Sequence, residues 1–288
     1  MENRPLYIVT GASGGMGQVL TTELLRRGYR TVMACRDLKK SEPIRQRILQ
    51  RCSATELELL PLDLASLDSI RQFSELLKQQ DETISVLINN AGSMNDSFRL
   101  SQDGFEMTTA VNYIGTAALT LSLLPLMHSG SRIINTLSCT HRIGQVGPGW
   151  TKVDREHFAR FKCYGNSKLA LLLFSLELER TLRNRGIEVF AADPGVVDTG
   201  MITMHRWFDP ITDLLFRPLI KSPEKGAATA LKLATDATIA KDETNTPNLY
   251  WMGEKPKKIS EHVLTHPYRA EIRNELFRLT GLQMPPEQ

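Results

Sequence analysis

"LYIVTGASGGMG", Leu6 to Gly17, is the stretch from which the rest of the chain is read. An apolar run over 6–10 reads as a first strand. Gly11, Gly15 and Gly17 follow at once, ahead of a periodic apolar segment near 15–27 that reads as a helix. Strand, glycine turn and helix in this order suit a dinucleotide. Glycines let the backbone approach a pyrophosphate, whose charge then sits at the helix N-terminus. Ser13, Gly14 and Met16 complete the turn. A plain βα connection can carry the same glycines, so the context along the chain has to decide.

That context repeats the pattern. Short apolar runs at 31–35, 57–62, 86–89, 132–137, 187–193 and 248–251 alternate with helical patterns near 39–52, 65–80, 103–127, 163–185 and 223–237. Most of the strands are β-branched or aliphatic throughout, as strands buried on both faces of a parallel sheet are. The alternation implies right-handed crossovers and an α/β fold. The expectation is a Rossmann-type, doubly wound parallel sheet of about seven strands in three α/β/α layers, forming one domain over 1–288. Residues 200–222 stand apart, rich in Met and aromatics, with two prolines and no clear period. They are expected to form a lid over a substrate pocket.

Composition removes several classes of function. The net charge of +3 is spread thinly over 288 residues. The densest basic run, Lys255 to Lys258, is short and lacks interleaved aromatics, which argues for a solvated tail and against a nucleic-acid surface. The four cysteines, Cys35, Cys52, Cys139 and Cys163, show no C-x-x-C and no metal-ligand spacing, so free thiols and no metal are expected. The chain reaches its first strand without an apolar leader run, and no stretch approaches about 18 uninterrupted apolar residues. A cytoplasmic protein without a membrane span is the expectation.

The second strand ends in "ACRD". A carboxylate at this point takes both ribose hydroxyls of NAD, whereas an arginine accommodates a 2′-phosphate. Arg36 comes first and Asp37 follows, so NADP(H) is expected, with NAD(H) still possible. Asp63, ahead of Leu64 at the end of the third strand, has two readings: an acceptor for the adenine amino group, or an N-cap for the next helix.

Further along, "NNAG" (Asn89 to Gly92, with Asn90 and Ala91 between), "VNYIG" with Asn112, "NTLSCTHRIG" with Ser138, "YGNSK" with Tyr164 and Lys168, and "DPGVVDT" with Pro194, Gly195, Val197 and Thr199 follow one another. In this order the motifs resemble the short-chain dehydrogenase/reductase family of the classical type, and the likeness covers essentially the whole chain. "ACRD", the segment after "YGNSK" and the tail "LYWMGEKPKKIS" look closest to its retinol-dehydrogenase-like branch. Leu137 stands where the family usually has the first serine of a Ser-Ser pair.

The chemistry these residues can perform is specific. Hydride transfer to a carbonyl leaves charge on oxygen, which must receive a proton. Tyrosine, with a pKa near 10, needs help to exchange protons at neutral pH, and a cation one helical turn away favours the phenolate. Lys168 beside Tyr164 supplies that cation, and the resemblance implies that it also holds the nicotinamide ribose. Ser138 would hydrogen-bond the substrate oxygen, and Tyr164 would protonate the alkoxide or deprotonate the alcohol. Asn112, by resemblance, would hold a water that links Lys168 to solvent. Asn89 to Gly92 are expected to shape the backbone beside the cofactor, and Thr199 to bond the carboxamide.

Trp150, with Phe158 and Phe161, is expected on one wall of a pocket for a bulky apolar carbonyl or alcohol. Met201, Met204 and Trp207 are expected opposite. His141 near Ser138 invites a hydrolase triad, but no carboxylate arrangement matches it. A non-catalytic dinucleotide-binding sensor on the same fold is the alternative from another class. An extended epimerase is disfavoured, because the turn reads TGxxxGxG and no large C-terminal domain follows. The resemblance implies a homodimer or homotetramer paired through the helices near 103–127 and 163–185. The second of these is apolar around more of its circumference than one buried face requires.

Overall fold

Residues Leu6–Thr10 form β1, and every one of them is buried. Successive side chains of a strand point to opposite faces. Leu6 and Ile8 therefore enter one core, while Tyr7 and Val9 enter another. β2 (Arg30–Cys35) divides in the same way, with Val32 and Ala34 on one side and Met33 and Cys35 on the other. Two apolar faces require two covering layers of helix.

The computed structural model describes residues 5–52, 56–197, 221–239 and 248–284. After β1 and β2 come β3 (Leu57–Pro61), β4 (Ile84–Asn89), β5 (Met127–Thr136), β6 (Glu188–Asp193), β7 (Tyr250–Met252) and β8 (Lys255–Pro256). All belong to one sheet, in the order β3-β2-β1-β4-β5-β6-β7-β8. The first seven are parallel, as expected; β8 adds a short antiparallel edge through Met252↔Lys255. The order reverses between β1 and β4, and a crevice opens there beyond the carboxyl ends of the strands. Gly11, Arg36, Asp63, Asn90, Ser138 and Pro194 all lie just past a strand's carboxyl end on that rim.

The helices are α1 (Gly15–Arg26), α2 (Leu38–Cys52), α3 (Leu67–Gln79), α4 (Met107–Leu126), α5 (Arg160–Leu182), α6 (Pro223–Thr235), α7 (Glu261–Leu264) and α8 (Arg269–Thr280). α1, α2 and α6 cover one face; α3, α4, α5 and α8 cover the other. By length and composition α4 could cross a membrane, but 78% of its apolar window is buried inside the fold. Pro125 lies in its last turn, a 3₁₀ turn over Leu124–Leu126.

The C-terminal tail is a structural element, which the sequence reading did not anticipate. The Lys255 to Lys258 run is exposed, but beyond it α8 buries Ile272 and Leu276. Glu177 of α5 takes Arg269, and also Arg273 at 3.0 Å. Tyr113 donates its hydroxyl to the Ile272 carbonyl at 3.4 Å. α5 is buried almost all round within one chain. The burial that its apolar circumference seemed to ask of a second subunit is supplied internally, in part by α8.

Candidate active site

The crevice begins at the turn after β1. Gly11 has φ +61°, and a Cβ there would lie 2.9 Å from the Ala91 Cα. At Gly17 a Cβ would lie 2.3 Å from the Gly11 carbonyl oxygen. The turn can close this tightly only without side chains. Gly14 caps α1 with no side-chain hydrogen bond, so the first-turn N–H groups face the crevice without a capping acceptor. Gln18 Nε2 braces the loop through the Ser13 carbonyl at 2.8 Å. Across the switch point Asn90 Nδ2 donates to the Thr10 carbonyl at 2.9 Å, and Ala91 N donates to Thr10 Oγ1 at 3.0 Å.

This turn forms one wall of a groove of about 420 Å³, lined also by Arg36, Lys40, Asp63, Leu64 and Gly92. Asp37 reaches the same groove, but its carboxylate serves α2. Oδ1 accepts from the Lys40 amide at 3.0 Å and Oδ2 lies 3.5 Å from Lys40 Nζ. Asp63 does not cap α3, because Ser66 does so by accepting from Ser69 N. Its Oδ1 instead accepts from Ala65 N at 2.9 Å, which holds the carboxyl on the rim. A glycine cradle with open helix N–H groups and two nearby cations fits a phosphate-bearing dinucleotide.

Met16, Asn90 and Gly92 also line a second, mostly apolar cavity of about 250 Å³. Ser138, Tyr164, Lys168, Pro194, Gly195 and Val197 meet there. Ser138 lies two residues past β5 and caps a 3₁₀ turn over Cys139–Ile143, so its hydroxyl is fixed at the sheet rim. Tyr164 and Lys168 lie one turn apart on α5, with Nζ 5.7 Å from the phenol ring centroid. Lys168 Nζ donates to the Thr136 carbonyl at 2.8 Å. Burial pushes the Tyr164 phenol up to about 12, against a lowering by its hydrogen bond to Ser138. The direction is opposite to the lowering expected from the lysine, because desolvation of the phenolate is the largest influence. Burial also brings Lys168 down to about 8, with the carboxylate of Asp193 acting in the opposite sense.

Asn112 sits in a π turn of α4 over Ala110–Gly115. Such turns re-aim a side chain out of helical register. Gly115 lets this turn pack against the loop after β3, since a Cβ there would lie 2.0 Å from the Leu64 carbonyl oxygen. Asn112 Nδ2 donates to the Ser93 carbonyl at 2.9 Å and to Ser167 Oγ at 3.1 Å, and Oδ1 accepts from Ser93 N at 2.7 Å. A Cβ on Gly92 would meet Asn112 Oδ1 at 3.5 Å and Lys168 Nζ at 3.8 Å, so the two polar groups converge over one glycine.

A family model described as short chain dehydrogenase matches residues 6–207. The chain belongs to the short-chain dehydrogenase family. It is 34% identical over 285 residues to human retinol dehydrogenase 13, covering 96% of this chain and 85% of the relative. With mouse polyprenol dehydrogenase it shares 36% identity over 236 residues, 79% of this chain and 70% of the relative. A crystal structure of an uncharacterized protein from Mycobacterium paratuberculosis superposes with a TM-score of 0.75 at 28% identity, covering 99% and 98% of the two chains. As a short-chain dehydrogenase the protein is an oxidoreductase acting on CH–OH or C=O groups with a nicotinamide dinucleotide.

In this short-chain dehydrogenase the residues picked from sequence separate into three groups. Gly11, Ser13, Gly14, Gly15, Met16, Gly17, Arg36, Asp63, Leu64, Asn90, Ala91 and Gly92 all line the groove. Ser138, Tyr164, Lys168, Pro194, Gly195 and Val197 line the cavity, and Asn112 lies just behind it. Thr199, Met201, Met204, Trp207 and nearly all of the expected lid fall outside the described residues.

Trp150 is a correction. Its ring lies 5.5 Å from that of Tyr113, and it packs on the main core away from the cavity. The neighbouring Thr151 donates to Glu275 of α8 at 2.7 Å, so this loop serves tail docking. Phe161, named with it from sequence, does line the cavity, together with Met94 and Arg160. Sequence reasoning also passed over Lys40, Thr10 and the buried amide chain Asn89–Asn135–Ser175, joined by bonds of 2.8 Å. Lys40, three residues past Asp37 at the start of α2, carried a signal; the amide chain carried none.

Proposed function

We propose a single-domain, cytoplasmic, NADP(H)-dependent oxidoreductase that interconverts a carbonyl and an alcohol on an apolar substrate, with Tyr164 as general acid and base. The observation that carries this reading is the meeting of Ser138, Tyr164 and Lys168 on a cavity continuous with the glycine groove. The dinucleotide supplies the hydride in reduction and accepts it in oxidation. Ser138 and Tyr164 act on the substrate oxygen: both hydroxyls donate to it as charge develops, and the Tyr164 proton transfers. A phenol held near 12 remains protonated at neutral pH, ready to give its proton to a far more basic alkoxide. Lys168 then supports the phenolate from its buried position beneath the ring.

NADP(H) preference is supported by the engagement of Asp37 at the α2 N-terminus, which leaves Arg36 and Lys40 as the cations at the ribose end. The mostly apolar cavity supports an apolar substrate, and the free thiols of Cys35, Cys52, Cys139 and Cys163 suit a reducing compartment. Pairing of two copies rests on the family likeness, and sedimentation of the purified protein reads it directly.

The test is turnover of a panel of ketones, aldehydes and alcohols with NADP(H) and with NAD(H). Activity favouring NADP(H) is expected. Arg36→Leu should shift the ratio of kcat/KM values toward NAD(H) by about ten-fold or more, as loss of a charge-assisted phosphate contact does. Clean dinucleotide binding without turnover of any panel member would favour the non-catalytic sensor.

A further inference from the structure

Charge is unevenly placed around the cavity that holds Tyr164. Among the described residues its lining has two cations, Lys168 and Arg160, and no Asp or Glu; most of the remainder is apolar. Lys168 belongs to the reaction centre, whereas Arg160 has no part in the chemistry described so far. Arg160 is the first residue of α5, one turn ahead of Tyr164. The two side chains therefore share a helix face, with Cβ atoms about 5–6 Å apart.

The Arg160 side chain is only 16% exposed and lies over the Phe161 ring, 5.8 Å from its centroid. Its NH1 pairs with Asp96 Oδ1 at 2.7 Å, and Asp96, on the loop after β4, is 69% exposed. An ion pair with one partner largely in water contributes little. A guanidinium, by contrast, offers five donors in a planar fork that suits a carboxylate bidentately. A cation on the wall of a low-polarity cavity also raises the local concentration of anions.

We propose that Arg160 gives this cavity a preference for carbonyl and alcohol substrates that carry a carboxylate at the far end of an apolar body. Asp96 is the surface carboxylate that such a substrate displaces. The proposal rests on the oxidoreductase reading and deepens it. A purely structural role differs in sign. If the pair only pins the start of α5, removing either end weakens the same contact. If Asp96 competes with substrate, removing Asp96 helps acids while removing Arg160 harms them.

The experiment compares NADPH-dependent reduction of benzoylpropionate, benzoylbutyrate and benzoylvalerate with that of their methyl esters. It uses the wild type, Arg160→Leu, Arg160→Lys and Asp96→Asn. The wild type should prefer acid over ester. The acid-to-ester ratio of kcat/KM should fall about ten-fold or more in Arg160→Leu. It should fall less in Arg160→Lys, which keeps charge without the fork, and rise in Asp96→Asn. Equal use of acid and ester by the wild type, or acid and ester changing by one common factor in all variants, overturns the proposal. Calorimetric binding of phenylbutyrate and its amide to the NADP-loaded protein gives a readout independent of turnover. Binding of the acid in preference to the amide that is lost in Arg160→Leu supports the proposal even if no panel carbonyl is reduced, an outcome that would sink only the oxidoreductase reading. Equal binding of acid and amide overturns it.

Discussion

At the β1 end of the crevice the surface is backbone: Gly11, Gly14, Gly15 and Gly17 present amides and leave space. At the β5 end it is side chain. Ser138, Tyr164 and Lys168 reach a shared cavity from β5 and α5, and Asn112 stands behind them on a π turn of α4. The first end is sensitive to added volume and indifferent to side-chain chemistry. The second should tolerate small changes of shape but fail when one hydroxyl or amine is removed. Binding and reaction can therefore be damaged separately, and substitutions at each end should show it.

Tyr164 aside, Ser138→Ala is expected to have the largest effect. Loss of a donor to a developing oxyanion costs about a hundred- to a thousand-fold in kcat, while NADPH affinity, read by fluorescence titration, should hold. At the glycine end the pattern reverses. Gly17→Ala places a methyl 2.3 Å from a carbonyl oxygen and should cost about 1–3 kcal/mol of stability together with most cofactor affinity. Gly14→Ala is the matched control. Its φ of −77° suits any residue and its nearest contact is 3.4 Å, so melting temperature and affinity should barely move. Equal damage from both alanines would break the comparison.

Gly115→Ala tests whether the two ends communicate. Its Cβ would press on the Leu64 carbonyl, at the groove, from the π turn that holds Asn112. A loss of about 1–3 kcal/mol is expected, with cofactor affinity and kcat falling together. The smallest effect lies in pH. His141 is buried beneath Ser138, with Nδ1 2.8 Å from the Ser138 carbonyl, and burial holds its pKa below the ordinary imidazole value. Around an unfolded pKa of about 6.5 the folded protein binds fewer protons than the unfolded chain. This contribution is complete above that pH and is lost on acidification. Thermal melts between pH 5 and 7.5 should show a shallower acid slope for His141→Asn.

How far the sequence could be read follows from the same contrast. The strand–helix alternation placed β1 through β7 because both faces of most of these strands are apolar and the period is local. The glycine turn was legible for a similar reason: close backbone approach admits few residues. Tyr164, Lys168, Ser138 and Asn112 were found through their order along the chain, and the fold brings them together. What escaped were contacts between distant segments. Trp150 is aromatic and near Ser138 in sequence, yet it packs on Tyr113, and its neighbour Thr151 bonds Glu275 of the C-terminal α8. α8 itself is short, with only Ile272 and Leu276 buried, and Glu177 anchors it across a long span of chain. The phenol of Tyr164 was expected to be acidic from its lysine neighbour; burial, invisible in sequence, moves it the other way.

The central claim is that Tyr164 delivers the proton at a site which binds dinucleotide independently of it. Single-turnover oxidation of NADPH by a ketone, at saturating cofactor, compares the wild type with Tyr164→Phe. The account predicts unchanged NADPH affinity and a rate lower by about a hundred- to ten-thousand-fold in the variant. A Tyr164→Phe protein that reduces the ketone at the wild-type rate would contradict it.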